Sequence, residues 1–140
     1  MQSKLWLLTS VLALSACDNS MKDIPDPSAA QAQAAEVAYN DLRDGKFEDF
    51  LAHLEPELQT HFKENEKIMK KFSHQIPKGE YKSKTLLIKQ VQESTAEPSQ
   101  FKVSYEIAYP KNLVQYDVSF DKPNGNTKIR NFNIQVFGGS

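Results

Sequence analysis

The chain changes its hydrophobic period partway along, and that change limits the fold more than any other feature. Up to Gln75 the apolar residues recur at spacings of three and four, whereas from Phe101 they alternate with polar ones. The first pattern belongs to amphipathic helices and the second to strands with one buried face. Helices followed by strands predict an α+β domain: three N-terminal helices packed on a curved, mostly antiparallel four-stranded sheet.

Local signals divide the helical half. Ser28 is placed to cap a first helix, with Gln31 answering three residues later, and Gly45 is placed to stop it after Asp44. The inward stripe of this helix is Ala35, Ala38, Tyr39 and Leu42. Phe47, Phe50, Leu51 and Leu54 repeat the spacing in a second, shorter helix. Pro56 suits the first turn of a third, whose stripe of Leu58, Phe62, Met69, Phe72 and Ile76 runs to Pro77 and Gly79.

Strands follow Tyr81. Residues 85 to 92 form the first, in which Leu86, Leu87 and Ile88 leave the buried face undecided. Phe101, Val103, Tyr105, Ile107 and Tyr109 alternate cleanly, as do Val114, Tyr116, Val118 and Phe120. YPKNL makes a tight connection between these two strands, and DKPNGN supplies an Asn-Gly turn before the last. There Ile129 has one parity while Phe132, Ile134 and Val136 have the other. A β-bulge near Arg130 and Asn131 is the expected reconciliation.

The N-terminus has a different order. MQSK carries one positive charge, LWLLTSVLAL is apolar, and the small residues Ser15 and Ala16 precede Cys17, the only cysteine. That is the order of a secretory signal, too short for a stable bilayer span. With no second thiol, Cys17 has no disulfide partner. Leu14-Ser15-Ala16-Cys17 resembles the lipobox of bacterial lipoproteins. The resemblance implies that residues 1–16 are cleaved and that the Cys17 thiol is diacylated. Several acyl chains would make the anchoring stable. Residues 17–28 then read as the lipidated cysteine and a flexible tether reaching at most about 35 Å, and residues 29–140 as one domain. The expected place is the bacterial cell envelope, with the domain facing the periplasm. Asp18 resembles the inner-membrane retention signal of enterobacterial lipoproteins and tips the expectation toward that membrane, with the outer membrane as the alternative.

The element order, with DLRDGKFEDFLAHL as its local cue, resembles the nuclear-transport-factor-like cone fold, also described as cystatin-like or ketosteroid-isomerase-like, over roughly residues 29 to 137. It is similar to small bacterial lipoproteins of unknown function that carry such a domain. The resemblance implies a space between helices and curved sheet, either filled by side chains or left as a pocket. Tyr39, Phe101, Tyr105, Tyr109, Tyr116 and Phe120 are the candidate lining. An alternating aromatic stripe is first of all core; as a pocket it would offer tyrosine hydroxyls to a small apolar ligand.

An isomerase or dehydratase on this plan needs a base facing the pocket. Glu106 and Asp117 fall on the parity opposite the aromatics, which leaves Asp41 on a helix as the open alternative. No catalytic residue and no cofactor are assigned. The function expected is a non-catalytic binding or envelope-accessory module, and the alternative is a small-pocket enzyme.

Charge narrows the partners. Asp18 to Glu57 holds ten acidic and three basic residues, and Lys63 to Lys89 holds eight lysines and three glutamates. Removing Lys4 from 17 basic and 18 acidic residues leaves a net charge of −2, unlike a nucleic-acid binder. Lys63, Lys67, Lys70 and Lys71 form a basic stripe, ordinarily a solvated face and otherwise a docking face for membrane or an acidic partner. His53, His61 and His74 lack the spacing by which one helix binds a metal, so no metal site is expected. The outward strand residues are polar, so a monomer or weak dimer is expected.

Overall fold

The computed structural model describes residues 23 to 93 and 99 to 138. The expected signal at 1–16, Cys17 and Asp18 lie outside the described residues. Among the described residues no helix is long and apolar enough to cross a membrane.

Helix α1 spans Ala29–Arg43, and its start is set locally. The Ser28 hydroxyl accepts from the Gln31 N–H at 3.1 Å, while the Gln31 side-chain oxygen accepts from the Ser28 N–H at 3.2 Å. That capping box satisfies two otherwise orphaned donors. Gly45, at φ 76°, takes the left-handed conformation that ends the helix. Ala35, Ala38, Tyr39 and Leu42 form its buried stripe. α2 (Phe47–Ala52) follows directly and buries Phe50.

The third expected helix is two. α3 (Pro56–Glu64) and α4 (Glu66–Gln75) meet at Asn65, whose φ of −131° and ψ of 58° are not helical. The Asn65 amide donates to the His61 carbonyl at 2.8 Å. A short polar side chain thus competes with the backbone for a helical acceptor. No apolar residue stands at 65 or 66 to hold the stripe together, so the described residues form four helices where the spacing predicts three.

The strands make one antiparallel sheet in the order β1 (Ser83–Gln92), β2 (Gln100–Ala108), β3 (Leu113–Phe120) and β4 (Asn131–Phe137). Its centre obeys the alternation. Phe101, Val103, Tyr105 and Ile107 of β2 are buried, as are Val114, Tyr116, Val118 and Phe120 of β3. Tyr105 stands opposite Tyr116, and Phe101 opposite Phe120. Together with Phe50, Phe62, Met69 and Ile76 from the helical side they make one core. Each large apolar side chain so buried contributes about 1.5–3 kcal/mol. Phe62 and Phe72 reach Phe132 of β4, with ring centroids 5.3 and 5.2 Å away, which sets α3 and α4 on the β4 side of the molecule. The YPKNL connection closes where the Tyr109 N–H donates to the Asn112 carbonyl at 2.9 Å.

The irregularities fall elsewhere than the sequence suggests. Ile129 precedes the last strand and makes an isolated parallel bridge to Leu54. Its N–H donates to the His53 carbonyl at 2.8 Å, and its carbonyl accepts from the Glu55 N–H at 2.9 Å. The parity change therefore marks where β4 begins, not a bulge at Arg130 and Asn131. The bulge lies in β1, where the register shifts between Leu86 and Ile88. Three consecutive aliphatics cannot alternate, and Leu87 becomes the extra residue. In DKPNGN the turn is centred on Pro123 and Asn124 rather than on Asn124 and Gly125. The Gly125 N–H reaches the Lys122 carbonyl at 3.0 Å, with Asn124 at φ 57°. A proline followed by a residue of positive φ is the type II arrangement.

The chain ahead of α1 is gripped along part of its length, against the expectation of a free tether to residue 28. Lys89 Nζ on β1 donates to the Ile24 carbonyl at 2.8 Å and to Asp26 Oδ1 at 2.9 Å, and Ile24 packs against the core. A second clamp lies just inside α1. Gln31 is fully buried, and its amide donates to the carbonyls of Lys122 at 3.0 Å and Asn126 at 3.2 Å.

Candidate functional site

The inner face of the sheet gathers the candidate tyrosines under α1. The Tyr39 and Tyr109 hydroxyls lie 2.8 Å apart, one donating to the other, and the Tyr116 O–H donates to the Ala35 carbonyl at 2.9 Å. The Tyr39 and Tyr116 rings are tilted with centroids 5.1 Å apart, and Tyr105 stacks on Tyr116 at 6.2 Å. Burial, and then the Tyr109 hydroxyl, push the Tyr39 phenol far above its ordinary pKa. Burial does the same for Tyr116 and, with a smaller shift, for Tyr105. These hydroxyls stay protonated at neutral pH.

The space left among them is about 10 Å³, bordered by Tyr39, Tyr105 and Tyr116 inside and by Glu36, Tyr81 and Lys84 at the rim. A single water is the most it accommodates. Tyr109 does not line it and bonds to Tyr39, while Phe101 and Phe120 are fully buried and pair with each other across β2 and β3, away from the cavity. A ligand-sized pocket is not formed behind the aromatic face.

The rim is a polar lock. The Glu36 carboxylate accepts from the Tyr81 O–H at 2.6 Å, and its other oxygen lies 3.4 Å from Lys84 Nζ. The Tyr81 hydrogen bond lowers the Glu36 pKa below the ordinary glutamate range, against desolvation and with help from Lys84. The same bond pushes Tyr81 up to about 12. Lys84 also sits 5.2 Å above the Tyr105 ring, in cation–π range. An ionised carboxylate with both oxygens engaged holds α1 to β1 and is a poor proton acceptor.

The other sequence candidates are dispersed. Asp117 accepts from the Ser104 hydroxyl at 2.5 Å and the Gln115 amide at 3.2 Å on the outer face, opposite the tyrosines. Asp41 lies 3.4 Å from His53 Nε2, not at the cavity. His61 packs against the Phe62 ring at 5.2 Å. Among the described residues no three histidine, cysteine or carboxylate side chains gather as metal ligands. The break at Asn65 divides the basic stripe, leaving Lys63 on α3 and Lys67, Lys70 and Lys71 on α4, all four exposed.

The exposed apolar surface that alternation does not assign lies on β1. Leu87, Ile88 and Val91 are 45%, 42% and 39% exposed. Ile88 and Val91, with Ile24, line an open groove of about 680 Å³. Among the described residues the strand has β2 as its only partner in the sheet. Its signal in the sequence is the Leu-Leu-Ile triplet, because a run that cannot alternate must bulge and turn apolar groups outward. Comparison with known proteins gives no further guide: no protein-family model, no curated protein and no solved structure matches the chain.

Proposed function

We propose that the chain is a membrane-anchored bacterial lipoprotein whose periplasmic domain is a non-catalytic binding or envelope-accessory module on the cone-shaped, nuclear-transport-factor-like plan. The anchoring follows from the resemblance of Leu14 to Cys17 to a lipobox after a short apolar run. The observation that carries the binding reading is the closed interior. A space of about 10 Å³ behind interlocked tyrosines leaves no room for an organic ligand, so recognition belongs to the outer surface. A protein or lipid surface in the envelope then suits the domain better than a small apolar ligand. The enzyme alternative draws no support from Glu36, which is already committed to Tyr81 and Lys84.

Two measurements test this. Labelled palmitate should enter the wild-type chain and not Cys17→Ser, and Cys17→Ser should leave the membrane fraction; unchanged fractionation would remove the lipoprotein reading. Native mass spectrometry of the full chain in detergent, with a small-molecule extract of the envelope, should show no added mass beyond the acyl groups. A stoichiometric small-molecule adduct would restore the pocket.

A further inference from the structure

We infer that the β1 edge, through Ile24, Leu87, Ile88 and Val91, is the surface by which the domain rests on the lipid bilayer. The inference rests on the anchoring proposed above, and a length decides the geometry. Cys17 to Asp23 is six peptide units, which reach at most about 22 Å when fully extended. A compact domain of roughly a hundred residues is about 35 Å across. Because Lys89 grips the chain at Ile24 and Asp26, a leash that short leaves β1 next to the anchor and cannot run round the domain to bring the far side down.

The chemistry of β1 suits a lipid interface. Its two lysines are already paired, Lys84 with Glu36 at 3.4 Å and Lys89 with Asp26 at 2.9 Å, so the strand itself carries little unbalanced charge, and Glu93 adds one negative charge at the end of the groove. Lys82, just ahead of the strand, and Lys102, opposite Gln90, are exposed and stand ready for anionic headgroups. At headgroup depth this edge, which no other described strand pairs, stays hydrated, as backbone in hydrocarbon could not. A strand from another protein fits less well. The bulge at Leu87 interrupts the edge midway, and inward-pointing lysines are a device by which edges avoid pairing. The lysine stripe of α3 and α4 lies toward β4, at the other edge of the sheet. Intrinsic affinity can be low, because an anchor keeps the effective concentration high.

The test uses the full-length chain, expressed in bacteria, extracted in detergent and reconstituted into vesicles of phosphatidylethanolamine and phosphatidylglycerol. Ile88→Cys and Lys70→Cys, both at exposed positions, carry an environment-sensitive dye, and nitroxide-bearing lipid supplies the quencher. Quenching at position 88 should exceed that at 70 several-fold. Equal or reversed quenching overturns the inference. Burial of the dye at 88 in whole envelopes without quenching in vesicles also overturns it, and assigns the edge to a protein strand. Flotation of Cys17→Ser reads the anchoring separately. If Cys17→Ser floats like the parent, the lipoprotein reading fails while quenching at 88 still reports the face. If Cys17→Ser is lost from the vesicles and 88 is unquenched in the parent, anchoring stands and the docking face falls.

Discussion

The two central strands and the edge strand β1 are neighbours in one sheet, yet they follow opposite rules. In β2 and β3 every inward apolar residue is buried and the outward positions are polar except at the Ala108–Leu113 end, with Asp117 bonded to Ser104 and Gln115. In β1 the inward parity is shared by Lys84, Leu86, Lys89 and Val91, and Val91 is exposed there, as are Leu87 at the bulge and Ile88 opposite Ser104. The contrast separates work done for stability from surface left for contact. A strand with a partner on each side and helices above it can be optimised for packing alone. An edge strand that must avoid aggregating spends inward positions on charge and a bulge.

Matched truncations should break or sharpen this contrast. Ile107→Ala in β2 is expected to cost about 2–5 kcal/mol by urea denaturation, because the side chain is fully buried and its removal leaves a cavity in the core. Ile88→Ala in β1 is expected to cost less than about 1 kcal/mol. Comparable losses would mean that β1 is packed as tightly as the centre. Gln31→Ala comes next. It strips the Lys122 and Asn126 carbonyls and the Ser28 N–H of their partner, an expected loss of about 1–3 kcal/mol. Gln31→Glu should recover little of it, since a carboxylate offers those carbonyls no donor.

Lys89→Met should lower global stability by about 1 kcal/mol or less, because Asp26 is exposed. Its clearer readout is faster proteolysis ahead of α1, as Ile24 and Asp26 lose their grip. The smallest effect is electrostatic, at the rim that ties β1 to α1. The Glu36 pKa is lower folded than unfolded, so its stabilisation is present above the ordinary value of 4.5 and is lost as pH falls through the folded value. Tyr81 has the opposite sign: raised from 10.0 to about 12, it stabilises fully below 10.0 and loses that contribution as pH rises through about 12. Tyr81→Phe should flatten both limbs in a stability-against-pH profile. If the acid limb is unchanged, Tyr81 is not what holds the Glu36 carboxylate.

Where periodicity and local chemistry agreed, the sequence was legible. Ser28, Gln31 and Gly45 announce α1, and the aromatics of β2 and β3 announce the sheet, because each signal acts through neighbours in sequence. Asn65 does not announce a break, because an apolar stripe on either side carries across it. Ile129 was assigned to the last strand because its real partner, Leu54, is far off in sequence. The same holds for Lys89 and the segment at Ile24, and for Gln31 and the turn at Lys122. A lysine in a strand and a glutamine after a cap look like solvated residues until the fold supplies carbonyls for them. The tyrosine site was half legible: alternation names the rings, but whether they enclose a void depends on hydroxyl partners on α1.

The two clamps on the N-terminal segment also decide how the domain would bear a load. If the chain ahead of α1 is tugged while the domain is held, the pull enters at Ile24. It meets the Lys89 clasp across β1 first and the Gln31 bonds to Lys122 and Asn126 second. The capping box of α1, which would otherwise be the first turn to unravel, sits behind the Lys89 clasp and shares Gln31 with the second clamp. The arrangement works as strain relief does on a cable, taking tension at the edge strand before it reaches the first turn of α1.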